Sequence, residues 1–232
     1  MFIFNIAEHK RQNTDMPQII GYIHICQVGE WERSLAMIMD ALKRSGLYNA
    51  AKEIRCGVLG TQCTSSDPKM RVVYIGNPEE YERPTLLHMR NAASEDPLDT
   101  KYFYLHTKGI RWFGTPTESF VVDWIKLLLY WNVEKWVNAA DSLNKYDTYG
   151  CNYESGKKYH PHYSGNFFWT TGHHLKTLPS TIGPEYNDPE FWLCSAGMFD
   201  GKPNIYNAFS SQFEGLGHYG DPFPESRYRD DI

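Results

Sequence analysis

Two residues with chemical capability close one short run of the chain, Lys101-Tyr-Phe-Tyr-Leu-His-Thr-Lys-Gly109. His106 can carry or accept a proton or bind a metal, Lys108 is a cation suited to a phosphate, and Gly109 lets the backbone come close to a ligand. A second dense stretch is His160-Pro-His-Tyr-Ser-Gly-Asn-Phe-Phe-Trp169, with His173 and His174 following. It offers a hydroxyl at Ser164, an amide at Asn166, an open backbone at Gly165 and a flat ring at Trp169. Its four histidines do not fall at a zinc spacing such as His-Glu-x-x-His. Glu190, with Phe191 and Trp192 after it, places a carboxylate at the edge of an apolar surface and is the candidate general base. Asp188 is the reserve carboxylate and Asp123 a third.

These residues need elements to hold them. Tyr102 to Leu105 is β-favouring and stops at turn chemistry, so it predicts a buried strand with His106 and Lys108 at its carboxyl end, where open α/β sheets collect ligands. Ile19 to Cys26 predicts the first strand, and Leu35, Ile38, Met39 and Leu42 recur at helical spacing over residues 31–45. The loop between them carries Gln27 and Gly29 but lacks a Gly-x-Gly-x-x-Gly fingerprint. Further strands are predicted over residues 53–60, 70–76, 145–152, 167–171 and 203–210. Further helices are predicted over residues 84–93, 118–138 and 173–178 and from Pro189 on. The helix over 118–138 reads as one long element with a broad apolar stripe. The tail, residues 211–232, is rich in Gly, Pro, Asp and Arg and reads as a loosely packed arm or a flap over the site. Alternating strands and helices predict an α/β fold with a mixed, mostly parallel central sheet flanked by helices.

The bulk composition narrows the function. The chain has 232 residues, 41% hydrophobic and 22% charged, enough for one well-filled domain. A net charge of −5 and a pI near 6.0 argue against nucleic acid as a partner. No apolar run predicts a membrane span, and residues 1–18 read as a ragged lead-in without signal-peptide features. Cys26, Cys56, Cys63, Cys151 and Cys194 are odd in number and scattered, which predicts reduced thiols and a cytoplasmic setting.

Several blocks taken together resemble GT-A type nucleotide-sugar glycosyltransferases of a small branch associated with viral and bacterial polysaccharide clusters. They are His24-Ile-Cys26, Ser45-Gly-Leu-Tyr48, Leu105-His-Thr-Lys-Gly109, Asp123-Trp124, His162-Tyr-Ser-Gly-Asn-Phe-Phe-Trp169, Leu178-Pro179 and Glu190-Phe-Trp192. The resemblance implies a Rossmann-like fold with a donor-binding part over residues 19–110 and an acceptor part over residues 111–210, and transfer of a sugar from a nucleoside-diphosphate sugar, of UDP or GDP type, to a glycan or glycoprotein hydroxyl. It implies a cytoplasmic enzyme, in the host cytoplasm if the source is viral.

Such a transfer needs a charge to take up the leaving diphosphate, a base for the acceptor hydroxyl, and support for an oxocarbenium-like centre. Donor binding is then expected of His24, Cys26, Gln27, Gly29, His106, Thr107, Lys108, Gly109 and Arg111. Acceptor binding is expected of His162, Ser164, Gly165, Asn166 and Trp169, and catalysis of Glu190 or Asp188, with an inverting outcome. The family often carries an Asp-x-Asp metal motif, and His106-Thr-Lys108 stands in its place here. Use of Mn or Mg and metal-independent use are equally open, with His106, Asp99 and His218 as candidate ligands. Two rival readings are a non-catalytic sugar- or nucleotide-binding module and a histidine-dependent metal hydrolase.

Overall fold

The computed structural model describes residues 17–61, 67–155, 160–195, 203–213 and 217–230. Cys63 and most of the amino-terminal lead-in lie outside the described residues.

The strands of the main sheet form where β-favouring runs predict them. Strand β1 (Ile19–Cys26) leads through helix α1 (Trp31–Arg44) and the short α2 (Leu47–Ala50) to β2 (Glu53–Leu59). Strand β3 (Met70–Gly76), helix α3 (Arg83–Ala92) and β4 (Lys101–His106) follow. All but the last residue of β1 is buried, as expected for a strand covered on both faces. Strands β2, β1 and β4 lie parallel, and β3 extends the set beyond β2.

The carboxyl half turns the sheet around. Strand β5 (Thr148–Gly150), the small hairpin of β6 (Tyr153–Glu154) and β7 (His162–Tyr163), and β8 (Phe168–Thr171) precede helices α6 (Gly172–Thr177) and α7 (Asp188–Trp192). Strand β9 (Ile205–Asn207) closes a seven-stranded sheet of order β3-β2-β1-β4-β8-β5-β9. Only β8 runs antiparallel to its neighbours, β4 and β5. The protein is thus a mixed, mostly parallel α/β fold of Rossmann-like type. The chain leaves β1 toward β2 and leaves β4 toward the opposite edge, so the two connections part above the carboxyl ends of β1 and β4. That divergence is the switch-point crevice of open α/β sheets.

Side chains alternate between two cores. Ile23, Ile25, Phe103 and Leu105 pack with Ile38 and Leu42 of α1 on one face. Ile20, Tyr22, Tyr102 and Tyr104 pack with Leu86, Met89 and Leu175 on the other. By the same period of two, His24 and His106 lie on the α3 face, and they are opposite each other in the β1–β4 register.

Two expectations change. The helix predicted over 118–138 is broken into α4 (Glu118–Leu129), a π-turn at Tyr130–Glu134 and α5 (Trp136–Ser142). The Lys135 amide reaches Tyr130 O at 2.9 Å, one residue further back than in an α-helix. Asn132 O instead accepts the Trp169 indole N–H at 2.7 Å. The described part of the tail is not loose. Phe223 and Tyr228 are buried in the α1–α4 core. Phe223 N donates to Asp123 Oδ2 at 3.2 Å, and Lys126–Glu225 and Arg229–Glu134 bridge at 3.0 and 2.8 Å. The tail straps α4 and brings α8 (Gly217–Gly220) over Trp124. Among the described residues no helix is long and apolar enough to cross a membrane.

Candidate functional site

The site builds outward from His24 and His106 at the switch point. His24 is 3% exposed, and its Nδ1 meets Thr85 Oγ1 at 2.8 Å. Gly57, opposite His24 on β2, makes this possible: a Cβ there would stand 1.9 Å from Thr85 Oγ1. Burial pulls the His24 pKa down to about 4. His106 Nε2 lies 3.0 Å from Gly165 O, and its Nδ1 lies 3.2 Å from Glu82 Oε1. Burial, with the Lys108 charge adding, brings His106 down to about 3, so its contact with Glu82 joins a neutral ring and is not an ion pair.

Lys108 follows β4 and turns over the indole of Trp124, with Nζ 3.9 Å from the ring centroid. A cation so placed gains about 1–2 kcal/mol when partly desolvated. Trp124 is itself backed by His218, stacked at 5.1 Å and 9°. Burial lowers the Lys108 pKa, while the charges of Glu190 and Glu82 hold it up. Glu190, in the first turn of α7, takes the Gly165 N–H on Oε1 at 2.7 Å. Glu82 sits just before α3 and accepts the Asn166 amide on Oε2 at 2.6 Å. Burial raises its pKa. Lys108, two carboxyl groups, two neutral imidazoles and the Gly165–Asn166 turn thus cluster at the switch point.

Of the expected donor residues, His24, His106 and Lys108 converge here. Cys26 is partly exposed at the end of β1, with its thiol pushed up by burial, and Arg111 is exposed nearby. The others have structural duties. Thr107 Oγ1 accepts the Cys26 N–H at 3.0 Å and Thr107 N donates to His24 O at 2.9 Å, stapling β4 to β1. Gln27 Oε1 accepts the Thr61 hydroxyl at 3.1 Å. Gly29 is required by close passage against Ile110, whose carbonyl oxygen lies 2.7 Å from a Cβ built there. Gly109 faces Val121 of α4, 2.3 Å from such a Cβ, and not an open cleft.

Of the expected acceptor residues, Gly165 contacts Glu190, and Asn166, 4% exposed, contacts Glu82. Trp169 is fully buried, packs on Phe103 at 5.3 Å and donates to Asn132 O, so no ligand can stack on it. His162 is 7% exposed and packs on Phe191. Ser164 donates its backbone N–H to Asn152 O at 3.0 Å. Asp188, the reserve carboxylate, takes the Glu185 N–H on Oδ2 at 2.8 Å and closes its own turn.

The candidate metal ligands do not meet. Asp99 precedes β4 and His106 ends it, so a whole strand separates them. Both His106 nitrogens are engaged, and His218 Nε2 lies 2.8 Å from Ser211 Oγ. His174 Nε2 contacts Leu193 O at 2.8 Å, while His160 and His173 are exposed. Among the described residues no three His, Cys, Asp or Glu side chains are grouped to hold a metal ion.

Sequence reading missed Glu82, Thr85 and the ring under Lys108. Glu82-Arg-Pro84 looks like an ordinary helix entry, and Trp124 like one more member of an apolar stripe. The one available signal is Tyr81, a non-glycine at φ 51°, which only the backbone reveals.

No protein-family model matches the chain, and no curated protein sequence matches it. Among solved structures the chain is similar to Rv0371c from Mycobacterium tuberculosis H37Rv, with 12% identity and a TM-score of 0.46 over 84% of this chain and 88% of that one. A likeness that loose says nothing about the chemistry of the site.

Proposed function

We propose that the protein is a GT-A type glycosyltransferase that moves a sugar from a nucleoside-diphosphate sugar to a hydroxyl of a glycan or glycoprotein. The observation that carries this reading is the placing of Lys108, over Trp124, and Glu190, held by the Gly165 N–H, at one end of the sheet, where the Glu190 charge helps keep Lys108 protonated. Lys108 takes up the charge leaving with the nucleoside diphosphate. Its desolvated position over Trp124 strengthens that interaction, because fixed charge acts most strongly where water is excluded. Glu190 removes the acceptor proton; its Oε1 is anchored by Gly165, and its Oε2 has no hydrogen-bond partner among the described residues. His24 and His106 are both neutral and add no positive charge beside Lys108. The metal ligands first considered do not fit, and no step is drawn through a metal.

A panel of UDP- and GDP-sugars, with and without manganese, tests the reading. Bound donor raises the melting temperature, and added acceptor accelerates release of nucleoside diphosphate. A flat melting response across the whole panel overturns it. Donor binding without turnover on any glycan acceptor converts it to a sugar- or nucleotide-binding module.

A further inference from the structure

We infer that Glu82 is a positioning residue for Glu190: the Glu82 carboxyl carries a proton turned toward the His106 ring, and this pair clamps the Gly165–Asn166 turn whose amide holds the Glu190 carboxylate. The inference rests on the reading above only for its effect on turnover.

Counting donors leads to that proton. Gly165 O can only accept, so His106 Nε2 carries the hydrogen in that 3.0 Å contact. A neutral imidazole then has only a lone pair at Nδ1, 3.2 Å from Glu82 Oε1. The contact is a hydrogen bond only if Glu82 donates. An ionised Glu82 would set its lone pairs against that of Nδ1 at 3.2 Å, and charging both groups would separate two charges where each side chain is about 15% exposed. The proton therefore stays on Glu82, in line with the direction of its pKa. The groups that face Glu82 are His24 from β1, Tyr104 and His106 from β4, Lys108 and Cys26 from the strand ends, Asn166 from the turn and Glu190 from α7.

The turn needs holding. Gly165 has φ 95° and Asn166 φ 54°, so two successive residues are left-handed. Glu82 grips both: Gly165 O through His106, and Asn166 directly through Oε2 at 2.6 Å. Gly165 N then meets Glu190 Oε1 at 2.7 Å. One carboxyl buried under the crevice thereby sets the aim of another within it.

Glutamine copies a protonated glutamate: its NH2 donates to His106 Nδ1 and its oxygen accepts from Asn166. Three measurements on the full chain at pH 7 test the clamp. The infrared band of an un-ionised carboxylic acid is present in the wild type and lost in Glu82→Gln. The Gly165 amide keeps its hydrogen-exchange protection in Glu82→Gln and loses it by about tenfold or more in Glu82→Ala, the worth of one hydrogen bond. In donor turnover, Glu82→Ala lowers kcat by about tenfold with donor KM unchanged, and Glu82→Gln regains most of it. Should Glu82→Ala fail to fold, Glu82→Asp, one methylene shorter, replaces it with the same expectation. Absence of the acid band, or Gly165 protection unchanged in the Ala or Asp variant, overturns the inference. If band and exchange behave as expected while the wild type turns over no donor, the clamp stands and the glycosyltransferase reading falls.

Discussion

Lys108 lies over the Trp124 indole, its ammonium 3.9 Å from the ring centroid, and His218 stacks on the same indole at 5.1 Å and 9°. The tail that carries His218 therefore supports, through one aromatic plane, the charge that follows β4.

Lys108→Met keeps the length of the side chain and removes its charge. Donor affinity is expected to fall between about 10-fold and about 150-fold, since a charge-assisted contact to phosphate contributes about 1.5–3 kcal/mol. Folding stability should hold or rise, because a desolvated ammonium is removed. Calorimetric titration with a donor sugar and a urea curve together decide it. Unchanged affinity would remove Lys108 from the diphosphate site.

Glu190→Gln keeps the shape and the acceptance of the Gly165 N–H but cannot take a proton. Transfer to acceptor should fall by about 100-fold or more while donor KM changes little, the pattern of a lost acid–base group. Near wild-type transfer in this variant would assign the base elsewhere.

Trp169→Phe tests the corrected role of that ring. It lies in the core and donates to Asn132 O, so loss of the indole N–H should cost about 1–3 kcal/mol of stability, read as a lower urea midpoint. Acceptor KM should be unchanged. A large rise in acceptor KM with stability intact would restore Trp169 to the site.

Stability should fall as pH drops below 6.5. His24 and His218 are each held down to about 4, chiefly by burial. Above 6.5 the folded and unfolded forms are both neutral at these rings. Below it the unfolded chain binds protons that the folded one refuses, down to about pH 4. Each ring then removes up to about 1.4 kcal/mol per pH unit. Glu82, whose pKa is raised, acts in the opposite sense and partly offsets His106. Urea midpoints at pH 7 and pH 5 measure the slope, and equal midpoints would show that these rings are not buried neutral.

What could be read from the chain follows from local physics. Ile19 to Cys26 and Lys101 to His106 are strands because β-branched and aromatic residues run unbroken to a turn, and burial demands that of central parallel strands. Placing His106 and Lys108 at the carboxyl edge required only that pattern. Glu190 was legible as a first-turn carboxylate beside aromatic residues. Sequence could not distinguish Trp124 from Trp169, because both sit in apolar company. One lies under a lysine and the other under Phe103 only because β8 returns antiparallel beside β4. Glu82 was silent for the same reason. Its partners, His106 and Asn166, lie 24 and 84 residues away, and only packing of α3 over the sheet brings them within hydrogen-bond reach. Periodicity determines which face a residue takes, whereas the meeting of distant faces, and the proton balance it imposes, belongs to the tertiary fold.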